Sequence, residues 1–175
     1  MWKDRIYLLD TYKTNAVLVF SATDGKFIHK IEGRGNGPGE FLSPHSFWID
    51  RSDGSLYILD RMMSKLLRYD LESLDYEEEI KLPDLAPLAF CVPTEGDYLY
   101  YFPLRKNDLF CGKQYVKADK EGNVLSTAYD APASGKILHG NAAPFYSYGG
   151  KIRFCPYFSN RIYEWMNDSL KVCRE

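Results

Sequence analysis

The sequence predicts an all-β chain assembled from repeated four-stranded antiparallel units. Aromatic residues make up 15% of the 175 residues, with 14 Tyr and 10 Phe, and such side chains favour pleated, half-buried surfaces over helices. Strand-like runs also echo one another. Ile6-Tyr7-Leu8-Leu9-Asp10 matches Leu56-Tyr57-Ile58-Leu59-Asp60 at an offset of 50, and Val17-Leu18-Val19-Phe20 matches Leu66-Leu67-Arg68-Tyr69 at 49. Between the runs fall Asp24-Gly25, Asp53-Gly54, Glu95-Gly96, Glu121-Gly122 and Gly149-Gly150, where Gly supplies the positive φ of a tight hairpin. No segment shows a sustained helical period.

With its strands labelled A to D, the clearest unit reads 46–50, 55–60, 65–70 and 76–81. The same order applied to the whole chain gives B, C and D over 5–31, then complete units over 46–81, 86–129 and 142–172, about 15 strands in a single partial domain. The third unit is a looser copy, entered through Asp97-Tyr98-Leu99-Tyr100-Tyr101-Phe102. The fourth is carried by Lys151-Ile152-Arg153-Phe154-Cys155 and Arg161-Ile162-Tyr163-Glu164-Trp165. A period near 50 lies in the range of propeller blades and solenoid repeats.

Composition narrows the function classes. At 45% hydrophobic and 26% charged the chain is globular. Its 22 Lys+Arg and 24 Asp+Glu are interspersed, for a net charge of -2, so no basic stripe offers itself to nucleic acid. No apolar run is long enough for a transmembrane segment. The opening MWKDRIYLLD places charges where a signal peptide keeps its apolar stretch. Cys91, Cys111, Cys155 and Cys173 include no CxxC pair, so buried free thiols in strands are expected rather than a zinc site.

The stretch Gly35-Asn36-Gly37-Pro38-Gly39-Glu40-Phe41, Ser43-Pro44, Ile49-Asp50, Gly54, Leu56-Tyr57-Ile58-Leu59-Asp60 and Leu67-Arg68-Tyr69-Asp70 resembles an NHL repeat. More closely, it resembles the six-bladed β-propeller proteins common in Bacteroidetes. The resemblance implies a toroid of four-stranded blades, of which this chain supplies about 3.75. It also implies a periplasmic or outer-membrane lipoprotein setting. Open propeller edges would then invite self-association.

In such a blade the A to B and C to D turns lie on one side, and the B to C and D to A connections on the other. The second set is long, 32–45, 104–112, 130–141 and 156–160, and long loops on a rigid scaffold are where binding groups concentrate. The predicted ligand-binding residues on that rim are Arg34, Glu40, His45, Arg61, Arg105, His139 and Arg161, with Lys13, Lys106, Asp108 and Tyr157 beside them. Cations gathered there suit an anionic glycan, a peptide carboxylate or a phosphate. Gly33, Gly35, Gly37, Pro38 and Gly39 read as a structural blade-to-blade crossover, because the loop lacks the Lys-Ser/Thr ending and following helix of a P-loop. Glu40 is expected to tie down local amides or Arg34.

Asp10, Asp60 and Asp70 close strands, where carboxylates accept hydrogen bonds from turn amides. Trp48 is expected in the core and His29 at the surface of an outer strand. The resulting expectation is a binding or interaction module for a protein, peptide or glycan, with no cofactor and no catalytic set. The alternative is a metal-dependent hydrolase or lyase whose channel site draws on Asp50, His45 and Asn141.

Overall fold

The computed structural model describes residues 2–33, 35–82, 87–94, 97–102, 112–130, 145–156, 160–166 and 169–174. Among them are fifteen strands and no helix, so none that is long and apolar enough to cross a membrane. Contacts divide the chain into two compact units, Met1–Leu82 and Pro83–Glu175.

The first unit holds two sheets. One is three-stranded, β1 (Arg5–Asp10), β2 (Ala16–Ser21) and β3 (Phe27–Glu32), in the order β1-β2-β3. The other is four-stranded, β4 (Pro44–Asp50), β5 (Ser55–Asp60), β6 (Lys65–Asp70) and β7 (Tyr76–Lys81), in the order β4-β5-β6-β7. Every neighbouring pair is antiparallel and consecutive in sequence, which makes each sheet an up-and-down blade.

Strand alternation decides which side chains meet between the two blades. Opposed pairs Phe47↔Ile58, Ile49↔Leu56, Ile58↔Leu67 and Leu56↔Tyr69 put one face of the second blade toward the first. That face packs with Tyr7, Val17, Val19 and Ile31 into one core, closed by Phe41, Leu71 and Leu74. Truncating a fully buried member such as Leu67 to Ala is expected to cost about 2–5 kcal/mol.

The second unit also holds two blades. β8 (Ala89–Thr94), β9 (Asp97–Tyr101), β10 (Lys113–Asp119) and β11 (Val124–Asp130) form one, and β12 (Phe145–Tyr148), β13 (Lys151–Phe154), β14 (Ile162–Met166) and β15 (Ser169–Arg174) the other. Their shared core is aromatic. The Tyr115 ring lies 4.2 Å from Phe154, 5.1 Å from Tyr101 and 5.8 Å from Phe145, centroid to centroid.

The all-β propeller expectation therefore holds, with three four-stranded blades and one of three strands. Three expectations need correction. The inner strand of the clearest blade begins at Pro44 rather than Ser46, because a first-position proline sacrifices no ladder hydrogen bond that the strand needs. Cys91 is buried, but Cys155 and Cys173 are exposed: Cys155 falls just past the end of β13, and Cys173 is on β15, which is paired on one side only. Cys111 lies outside the described residues. Trp48 is half-buried and outside the core cluster, since alternation gives the core-facing positions to Phe47 and Ile49. His29 is exposed on β3, as expected.

Candidate functional site

In the first unit, up-and-down connectivity brings the β1–β2 turn, the β5–β6 turn and the 33–43 crossover out at one end. Asp60, the last residue of β5, binds two of these connections together. It is fully buried, and its carboxylate accepts N–H groups from Leu42 at 2.7 Å and Ser43 at 3.3 Å on the crossover. It also accepts those of Met62 at 3.0 Å and Met63 at 3.2 Å in its own turn. The Arg61 N–H donates to the Ser43 carbonyl at 3.2 Å. Asp10 and Asp70 fill the expected role in their turns, Asp10 accepting from Tyr12, Lys13 and Thr14 and Asp70 from Glu72 and Ser73. The N–H of Lys13, then that of Tyr12 and the Thr14 hydroxyl, hold Asp10 down at about 2.

The glycine loop is a structural crossover with a defined mechanism. A Cβ on Gly33 would lie 2.7 Å from the Glu40 Cα and 2.9 Å from the Phe41 nitrogen, so only glycine lets the chain close there. The Glu40 carboxylate accepts the Gly37 N–H at 2.8 Å, and the Glu40 N–H returns a bond to the Gly37 carbonyl at 2.9 Å. The Tyr69 hydroxyl donates to the Gly39 carbonyl at 2.8 Å. Phe41 is thereby driven into the core between the blades.

The seven sequence-predicted rim residues separate at this point. Arg34, Arg105 and His139 lie outside the described residues, as do Lys106, Asp108, Tyr157 and Asn141. Arg161 is exposed just ahead of β14 in the second unit. Glu40 is spent on the loop. His45 and Arg61 come together at the start of β4.

A β-bulge places His45 there. Pro44 pairs with Asp60 and Ser46 with Leu59, so His45 is the extra residue, and bulges re-aim side chains at sheet rims. Its imidazole is half-buried. Burial first, and the charge of Arg61 second, hold its pKa below the ordinary value.

Arg61 differs from the other arginines of this unit whose side-chain contacts are defined. Arg68 is paired with Asp53, Glu77 and Glu78, and Arg5 donates to the Leu71 and Glu72 carbonyls. Arg61 has no carboxylate partner among the described residues, and its Nε is buried without an acceptor. The Ser46 hydroxyl, close by on β4, is likewise buried without a partner.

Two apolar tips stand on the same rim at echoed positions, Tyr12 two residues after Asp10 and Met62 two after Asp60, exposed by 96% and 70%. Sequence reasoning passed over Ser46, Tyr12 and Met62. The repeated Asp-x-[Tyr/Met] offset was the signal available. Of the channel-site candidates, Asp50 accepts both the N–H and the hydroxyl of Ser52, and no group of three or more His, Cys, Asp or Glu suited to a metal gathers among the described residues.

The model of one family, DUF5128, described as a 6-bladed beta-propeller, matches residues 1–175. No curated protein matches the chain. Among solved structures, a protein from Bacteroides fragilis is similar at a TM-score of 0.84 and 19% identity over 98% of this chain and 48% of that one. A member of the DUF4221 family from Bacteroides vulgatus is similar at 0.65 and 11% over 97% and 54%, and AztD from Citrobacter koseri at 0.55 and 10% over 98% and 57%. At these identities the likeness is one of fold. The chain spans about half the length of these structures.

Proposed function

The chain belongs to the 6-bladed beta-propeller family DUF5128, and on that scaffold we propose that it is a binding module whose rim takes a carboxylate-bearing ligand, an acidic glycan or a peptide carboxylate. The ligand's oxygens meet Arg61, with His45 and the Ser46 hydroxyl as further donors and Tyr12 and Met62 as apolar flanks. One observation carries this reading: the buried Arg61 Nε has no acceptor.

Leaving a buried donor unsatisfied costs roughly 1–3 kcal/mol. A planar carboxylate repays that cost, because a guanidinium offers it two parallel hydrogen bonds. Neutral His45 suits the same task. An arriving anion favours its protonated form, which makes it a second cation only when a ligand is present.

Isothermal titration with a glucuronate-terminated oligosaccharide and with a free C-terminal peptide tests the proposal. Binding of one of them by the wild type, weakened about tenfold in Arg61→Lys and abolished in Arg61→Gln, is expected from the loss of the fork geometry. Equal binding by all three proteins, or by none, overturns it.

A further inference from the structure

The three-stranded blade carries an unfinished hairpin. Trp2 and Arg5 exchange two backbone hydrogen bonds, Trp2 N–H to Arg5 O at 3.1 Å and Arg5 N–H to Trp2 O at 2.9 Å. Between them Lys3 and Asp4 have φ of 38° and 57°. Two central residues at positive φ define the primed turn that joins adjacent antiparallel strands.

Neither residue is glycine, so the conformation is held by its surroundings. Lys3 Nζ bonds Glu72 at 2.6 Å, the Arg5 guanidinium holds the carbonyls of Leu71 and Glu72, and Trp2 packs against the core cluster. An equivalent turn in the fourth blade joins two complete strands: Tyr148 pairs with Lys151 across Gly149 and Gly150, whose φ are 60° and 72°. Trp2 therefore stands where Tyr148 stands, at the last position of an inner strand.

The edge of β1 facing that position has no strand beside it. Arg5 spends both backbone groups on Trp2, so the alternation of an antiparallel ladder turns the N–H and C=O of Tyr7 and Leu9 to the same edge and those of Ile6 and Leu8 toward β2. The offset of 50 between β1 and β5 agrees, since β5 has the inner strand β4 at its corresponding edge.

We propose that the free edge of β1 accepts a fourth strand running antiparallel to it and entering through Trp2, an extended segment joined directly ahead of Met1. About four residues suffice to reach Leu9 at strand spacing. Those opposite Tyr7 and Leu9 are apolar, because they share the face that packs on the core.

Amide hydrogen exchange tests this. In the chain of 175 residues the Tyr7 and Leu9 amides exchange fast and those of Ile6 and Leu8 slowly. A short segment of alternating Val and Thr joined ahead of Met1 is expected to slow Tyr7 and Leu9 at least about tenfold and leave Ile6 and Leu8 as they were. Lys3→Pro, which cannot take a positive φ, is expected to remove the gain, and Lys3→Asn with Asp4→Gly to keep it. Two results overturn the proposal: no slowing in the extended Asn-Gly variant, or Tyr7 and Leu9 already slow in the unextended chain. In the latter case, protection that rises with protein concentration identifies a second copy as the strand at that edge.

Discussion

Asp60 and Arg61 are adjacent in sequence and opposite in circumstance. The first is fully buried and accepts four amides; the second keeps a buried donor with nothing to give it to. Asp60→Ala strands several donors at once and is expected to lower stability by about 3 kcal/mol in urea unfolding. Asp10, whose folded pKa lies near 2, contributes stability that is present above the unfolded carboxylate pKa. That contribution is lost as pH falls from about 4 through about 2. Asp10→Asn is expected to reduce the loss of stability over that acid window. His45 works in the other direction. Its folded pKa is lowered, so the unfolded chain binds the proton more readily and stability falls as pH drops through about 6.5. A bound anion reverses the preference, and carboxylate affinity is expected to rise as pH falls, an effect absent in His45→Gln.

At the scale of elements, strand periodicity and glycine turns located the blades because each obeys a local rule. β5, β6 and β7 span the residues that alternation and turn spacing assign to them. What escaped was set by tertiary register. The bulge at His45 has no residue signature, and whether Trp48 or its neighbours face the core depends on a one-residue shift that alternation leaves open. The crossover shows the same division. Its glycines were legible as structural, but their ranking was not. Gly33 meets backbone at 2.7 Å, whereas a Cβ on Gly37 meets the Glu40 carboxylate at 3.0 Å. Gly33→Val is therefore expected to cost about 2 kcal/mol or more and to exceed the loss in Gly37→Val, since backbone cannot swing aside as a side chain can. Thermal melts of both variants check the order.

For the whole molecule, the sequence carried the architecture through its 50-residue echo, and the family match agrees with it. The candidate site was legible only in outline. Of the predicted rim residues, His45 and Arg61 share a location, and what distinguishes Arg61, the want of a partner, is a property of packing. A net charge of -2 gives no long-range pull on polyanions. Duplex DNA is accordingly not expected to compete with a carboxylate ligand, and added salt is expected to weaken ligand binding only modestly.

The most direct measurement is the Nε–H resonance of Arg61 in a 15N-labelled protein titrated with glucuronate. A guanidinium whose donor lacks an acceptor is expected to show that resonance moving with the titrant and saturating, together with His45, while the paired Arg68 stays in place. An Arg61 signal that does not move, or an Arg68 signal that moves equally, contradicts a carboxylate site on this rim.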